Sequence, residues 1–199
     1  KLMAYPFERL NNLLAPLTPK SNATPISLSI GEPKHHPPDF ALEILSDQEK
    51  MRALLATYPS TKGTPKLRQS ISTWLKSRFS LEVDYETEIL PVNGTREALF
   101  SFAQAVISDK TNPIVIMPNP FYQIYEGAAL LAGASTFFCS SFETNNYLQD
   151  FESIPSETWR DTELIYICSP ANPTGKSLSE DQIEKLIDLA HQYDFTIAS

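Results

Sequence analysis

Three things are scarce in this 199-residue chain, and each scarcity closes off a class of function. No uninterrupted apolar run approaches the roughly 20 residues that a membrane-spanning helix needs. The longest uncharged stretch, GAALLAGASTFFCSSF (127–142), is broken by glycine and serine, so no membrane span is expected. Positive charge is also short: 16 Lys and Arg face 24 Asp and Glu, a formal net charge of −8. An acidic surface repels phosphate backbones and makes nucleic acid a poor partner, while leaving room for a local site that takes a small anion. Cysteine is limited to Cys139 and Cys168, each inside an apolar run. They are expected to be small buried thiols, neither disulfide partners nor nucleophiles, in a reducing cytoplasmic setting. The N-terminal KLMAYPFERL has no apolar signal core and does not open on methionine, so leading residues are expected to precede Lys1 in the gene. Internal repeats and low-complexity tracts are lacking as well.

What is present is a core and a pattern. Hydrophobic residues make up 42% of the chain, ordinary for a folded domain. From about residue 46 onward, helical and strand patterns alternate. PKLRQSISTWLKSRF (65–79) places Leu67, Ile71, Trp74, Leu75 and Phe79 at helical spacing. EILPV (88–92) reads as a short strand, and EALFSFAQAVI (97–107) as a helix. PIVIMP (113–118) is a continuous apolar run bounded by prolines, the mark of a strand buried on both faces. YQIYEGAALLAG (122–133) reads as a helix stopped by Gly133. Strand STFFC follows, then a polar loop (142–155), strand ELIYIC (163–168), a helix from Ser179 and a last strand, FTIA (195–198). Ser179 and Gln182 have the spacing of a capping box. Strands separated by helices imply right-handed crossovers and a mostly parallel sheet: the fold class is α/β. Residues 1–45 differ, being rich in proline and polar loops with an alternating ISLSIGEP (26–33). They read as an arm or part of a second, small domain.

In open α/β sheets ligands bind beyond the carboxyl ends of the strands, which selects three loops. In VNGTREALF (92–100) a helix begins at once after Asn93-Gly94-Thr95-Arg96. Such a helix start presents free N–H groups to a phosphate, with Thr95 adding a hydroxyl and Arg96 a charge. The alternative is a plain turn capped by Thr95. In MPNPFYQIY (117–125), Phe121, Tyr122 and Tyr125 either stack on a flat heterocycle or pack into the core. In ICSPANPTG, Asn172 projects an amide able to bind a phenolic or carbonyl oxygen, held by Pro173 through a cis bond, unless the segment is a simple turn. A phosphate cradle, an aromatic plate and a fixed amide on one sheet edge suggest a flat phosphorylated cofactor. His35 and His36 are adjacent and point apart, so no metal site is expected.

SPANPTG, GTREALF, NPFYQIYEGAALLAG and YPSTKGTPKLRQSI together resemble the class I/II aminotransferases, enzymes of fold type I that use pyridoxal 5'-phosphate. The resemblance covers nearly the whole chain but only the N-terminal half of the family's length. It implies a three-layer α/β/α large domain whose first half is residues 46–199, with residues 1–45 as N-terminal arm and part of the small domain. It also implies roles residue by residue. Gly94, Thr95 and Arg96 match the turn that binds the cofactor phosphate, and Tyr122 the aromatic that stacks on the pyridine ring. Asn172 matches the amide on the cofactor's phenolic oxygen. Tyr58 matches a tyrosine reaching the phosphate of the neighbouring subunit, so a homodimer is implied. Gly31 matches the backbone over the substrate carboxylate.

The Schiff-base lysine, the aspartate on the pyridine nitrogen and the carboxylate-binding arginine come later than NPTG in this family. None is expected among residues 1–199, with the aspartate expected directly after Ser199, and the 199-residue piece is expected to be inactive alone. Lys62, in Ser60-Thr61-Lys62, imitates such a lysine but falls in the family's Y-x-x-x-x-G turn. The implied partners are an amino donor and an oxo-acid acceptor. LSIGEPKH, YPSTKG and NPFYQIYEGAALLAG are similar to members that convert N-succinyl-2-amino-6-oxopimelate. Alanine, aspartate or aromatic substrates are alternatives, as is a non-catalytic, ligand-sensing relative with a DNA-binding domain, which the acidic charge disfavours.

Overall fold

Every second residue of the two central strands points to the same side, and that alternation divides the core. The computed structural model describes residues 5–18, 20–24, 26, 28 and 30–199. They form two compact units, residues 5–91 and residues 92–199.

Unit 5–91 is helical: α1 (Pro6–Leu14), α2 (Asp39–Ser46), α3 (Gln48–Leu54) and α4 (Pro65–Phe79). The helix starts follow local chemistry. Thr64 accepts the Leu67 N–H at 3.2 Å and Pro65 opens α4, while Asp47 accepts the Lys50 N–H at 3.1 Å to cap α3. Helix α4 has the bounds its periodicity predicts, but Leu67, Trp74 and Phe79 stay exposed. Its buried side chain is instead Arg68. Helices α1 and α2 fall in the segment expected to be polar loop. The signal for α1 was Pro6 at the first helical position followed by Phe7, Leu10, Leu13 and Leu14. Part of the alternating ISLSI segment, Ser27 and Ser29, lies outside the described residues.

The strand expected at EILPV does not form. Residues 88–92 are irregular, Leu90 and Val92 are exposed, and Pro91 has no N–H to give to a ladder. An apolar run of this kind becomes a strand only when a neighbouring strand is present to bond it.

Unit 92–199 contains α5 (Thr95–Val106), β1 (Ile114–Asn119), α6 (Ile124–Leu131), β2 (Ser135–Ser140), α7 (Ser156–Asp161), β3 (Thr162–Tyr166), α8 (Glu180–Tyr193) and β4 (Thr196–Ala198). The four strands are parallel in the order β2-β1-β3-β4. On one face Val115, Met117, Leu164 and Tyr166 pack with Ala103 of α5 and with Tyr125, Ala128 and Ala129 of α6. On the other, Ile116, Ile165 and Ile167 pack with Phe151, Trp159, Leu186 and Phe195. Helices thus cover both faces of a parallel sheet, as its continuous apolar strands require.

Local signals account for most boundaries. Gly133, at φ +86°, terminates α6. Ser179 and Gln182 make the reciprocal capping box of α8, with the Gln182 N–H on Ser179 Oγ at 3.2 Å. The polar loop holds two single turns of 3-10 helix, Glu143–Asn145 and Phe151–Ser153, and an antiparallel bridge between Ser141 and Gln149. Buried Glu163 ties the start of β3 to the segment before β1: the Ser108 N–H donates to it at 2.6 Å, the Ser108 hydroxyl also donates, and Lys110 Nζ stands 3.4 Å away. Among the described residues no helix is long and apolar enough to cross a membrane.

Candidate functional site

The strand order creates a crevice. From β1 the chain crosses to β2 on one side, whereas from β3 it crosses to β4 on the other. The loops leaving β1 and β3 therefore diverge at adjacent carboxyl ends, the switch point where α/β sheets bind ligands. A cleft of about 180 Å³ lies there, lined by Pro118, Phe121, Tyr122, Tyr125, Cys168 and Asn172.

The wall from β1 is aromatic. Tyr122 meets Tyr125 edge to face with ring centroids 5.9 Å apart, and Phe121 stacks on Phe138 at 5.2 Å. Tyr125 in turn stacks on Tyr166 at 4.3 Å with 13° between planes. Tyr125 is buried in the core, as one of the two alternatives has it, whereas Tyr122 is 42% exposed and borders the cleft. Burial raises the phenol pKa of Tyr125, and pushes that of Tyr166 up to about 12. Both remain neutral phenols at physiological pH.

The wall from β3 is a loop closed on itself. The Ala171 N–H donates to the Lys176 carbonyl at 2.7 Å, and the Gly175 N–H to the Ala171 carbonyl at 2.7 Å. The Leu178 N–H donates to Ser169 Oγ at 3.0 Å, and Leu178 itself is buried. Asn172 stands exposed at the tip, followed by a cis Asn172–Pro173 bond as expected. Ser169–Pro170 and Asn119–Pro120 are cis as well.

The helix start at Gly94 approaches the same end of the sheet. The Tyr166 hydroxyl, at the last residue of β3, donates to the Leu99 carbonyl of α5 at 2.6 Å. Gly94 is the N-cap with φ +111° and ψ 148°, a conformation that penalises any side chain. Among the described residues no side chain caps this helix, and Thr95 is not its cap but its first helical residue. Among the described residues, a Cβ built at Gly94 meets nothing within 4 Å, so backbone conformation and not crowding is what calls for glycine here. An uncapped N-terminus with exposed Thr95 and Arg96 has the donor chemistry of a phosphate cradle.

Tyr122 and Asn172 thus share one cleft, and Gly94, Thr95 and Arg96 open the helix tied to it. Tyr58 and Gly31 belong to unit 5–91, where Tyr58 is 99% exposed and nothing lies within 4 Å of a Cβ built at Gly31. Lys62 is exposed in the turn before α4, and His35 and His36 are exposed. Both cysteines are free: Cys139 is buried, its thiol pushed up to about 11 by burial. Cys168 corrects the expectation of two buried thiols. Strand β3 ends at Tyr166, so Cys168 falls in the loop, half-buried on the cleft, its Sγ 3.2 Å from the Pro170 carbonyl oxygen. The available signal was the serine and proline directly after it.

Residues 23–198 match the family model of aminotransferase class I and II, and the chain belongs to that family, whose cofactor is pyridoxal 5'-phosphate. Among its relatives is the LL-diaminopimelate aminotransferase of Syntrophobacter fumaroxidans, 32% identical over 98% of this chain and 50% of that protein. A solved aminotransferase of Neisseria meningitidis matches at TM-score 0.90 with 41% identity, over 100% of this chain and 50% of that one. Aminotransferase AspB of Helicobacter pylori matches at TM-score 0.88 with 34% identity, over 99% and 50% of the two chains. The chain spans about half the length of the curated relatives and solved structures it matches.

Proposed function

We propose that the complete protein is an aminotransferase that moves an amino group from glutamate to N-succinyl-2-amino-6-oxopimelate, with residues 46–199 as the first half of its cofactor-binding domain and residues 1–45 as arm and small-domain segment. The observation that carries the reading is the cleft at the β1/β3 switch point, where Tyr122 and Asn172 face one volume beside a glycine-led, uncapped helix. The residues present suit pyridoxal 5'-phosphate: donors for a phosphate at Gly94, Thr95 and Arg96, a ring-sized aromatic wall at Tyr122, and one amide at Asn172. When bound, the cofactor supplies an electron sink, while the protein supplies orientation and control of protonation.

In this reading each side chain has a limited task. The Gly94–Arg96 amides hold a dianion against a helix N-terminus. The Tyr122 ring would stack on a bound heterocycle and shield it from water. The Asn172 amide would donate to an oxygen of the bound cofactor and favour that oxygen's charged form. Gly31 offers backbone without a side chain to the substrate carboxylate. Tyr58 reaches the phosphate of a second subunit, which makes the enzyme a homodimer, and the cellular setting is the cytoplasm. In this reading none of residues 1–199 is the lysine that carries the cofactor covalently.

LL-diaminopimelate without the succinyl group is the second reading, favoured by the names of the relatives. The two separate in one assay: full-length enzyme with 2-oxoglutarate and either N-succinyl-LL-diaminopimelate or LL-diaminopimelate, following glutamate release. Turnover of the succinylated substrate is expected. Exclusive use of the free diamino acid moves the assignment to the second reading, and use of neither, with alanine, aspartate or aromatic amino acids active, overturns both.

A further inference from the structure

Arg68 is 5% exposed although its neighbours on α4 are open to solvent. Its Nε donates to the Tyr85 carbonyl at 2.9 Å, and one terminal nitrogen donates to the carbonyls of Lys62 and Gly63 at 3.2 and 3.0 Å. The other terminal nitrogen donates to the Glu86 carboxylate at 3.0 Å. Four of the five guanidinium donors are therefore used, three of them on backbone. Two of those carbonyls belong to one turn, the one that precedes α4.

That turn is fixed from other directions too. The Gly63 N–H donates to the Ser60 carbonyl at 2.9 Å, and Thr64 caps α4. Gly63 sits at φ +70°, and a Cβ there would lie 2.8 Å from Cγ of Pro91. Two residues before Ser60 comes Tyr58, 99% exposed. Its own side chain makes no demand for this anchoring, since an exposed phenol is stable in any orientation in water. A turn anchored from Ser60 onward shortens the free tether of the exposed tyrosine two residues before it, which matters when that tyrosine must meet a group outside its own unit with little entropy left to lose.

We infer that Arg68 is a positioning residue: through the Lys62 and Gly63 carbonyls it fixes the backbone from which Tyr58 reaches the cofactor phosphate of a second subunit. The inference rests on the role proposed for Tyr58. A lysine in its place has one ammonium and cannot span three carbonyls and a carboxylate at these angles.

The test is a double-mutant cycle in the full-length enzyme with Tyr58→Phe, Arg68→Ala and the pair, reading the pyridoxal phosphate Kd of the apo-enzyme beside the melting temperature. Tyr58→Phe is expected to weaken cofactor binding roughly 10- to 100-fold, the range of a lost hydrogen bond to a charged group, with melting unchanged. Arg68→Ala is expected to weaken it to a similar degree, Arg68→Lys to rescue it little, and the double variant to be no weaker than the weaker single one. Arg68→Ala with lowered melting but unchanged Kd, or effects that multiply in the pair, overturns the inference and leaves Tyr58 in its role. An unchanged Kd in Tyr58→Phe removes Tyr58 from the site and takes the inference with it. If Arg68→Ala yields no folded enzyme, Gly63→Ala displaces the same turn with the guanidinium intact. Its loss of affinity must likewise vanish on a Tyr58→Phe background, and persistence of that loss overturns the inference.

Discussion

Asn172 is a single exposed amide, so its removal separates chemistry from folding. Under the proposed function, Asn172→Ala in the full-length enzyme should leave the melting temperature nearly unchanged while removing the hydrogen bond proposed to a charged cofactor oxygen, worth about 1.5–3 kcal/mol. At about 1.4 kcal/mol per pH unit, the absorbance titration of the bound cofactor should move by roughly one to two units. An unmoved curve with cofactor retained would take Asn172 out of the site. The two thiols make a second contrast. Burial holds Cys139 protonated, with a pKa pushed up to about 11, whereas Cys168 borders the cleft. Because the thiolate is the nucleophile, iodoacetamide at pH 7.5 should alkylate Cys168 in the native chain and spare Cys139, as read by peptide mass mapping. Equal labelling would contradict the burial of Cys139.

Elements were legible where local chemistry and apolar pattern agreed. PIVIMP is bounded by prolines and carries residues for both sheet faces, and β1 formed there. The Ser179–Gln182 pair marked the start of α8 to the residue. Ser179→Ala should cost about 1 kcal/mol, measured as a fall in the urea midpoint of the chain. EILPV failed because strand formation depends on a partner, which no local pattern reveals. Helix α7, SETWRD, has six residues, too few to display a period, and its membership of the core rests on Trp159 stacking with Phe195 at 5.3 Å. In the candidate site, the prolines of MPNPFY and SPANP marked the loops that carry Tyr122 and Asn172, and the structure brings the two into one cleft, but the exact end of β3 was not legible, and Cys168, expected in that strand, lies in the loop.

Glu163 gives β3 a pH signature. Burial alone would raise its pKa, but the two Ser108 hydrogen bonds and Lys110 outweigh this and hold it below the ordinary Glu range. A depressed folded pKa means stability that is complete above the unfolded value, near 4.5, and lost as pH falls through the folded one. Glu163→Gln should therefore destabilise the chain by about 1.5–3 kcal/mol at pH 7, with the gap to wild type closing as pH falls through the lowered folded pKa. A gap that persists unchanged in acid would mean packing, not charge, is what Glu163 contributes.

For the molecule as a whole, the proposal makes the 199 residues one part of a catalytic centre. Borohydride reduction of this chain with pyridoxal phosphate should leave no lysine stoichiometrically labelled on peptide mapping. A single quantitative site, Lys62 above all, would put the catalytic lysine in this half of the protein. The strand order carries a further consequence, for the order of folding events. Strands β1 and β2 are joined through α6 alone and can pair early, at low cost in loop closure. Strand β3 must return across the whole 141–161 excursion before Val115 meets Leu164, a non-local contact of the kind that slows folding. The cleft hangs between the ends of β1 and β3, so it is absent from any β1–α6–β2 intermediate. Under the proposed function, a cofactor held in that cleft would bind only the chain that has completed this pairing, raising its apparent stability by mass action without accelerating its formation.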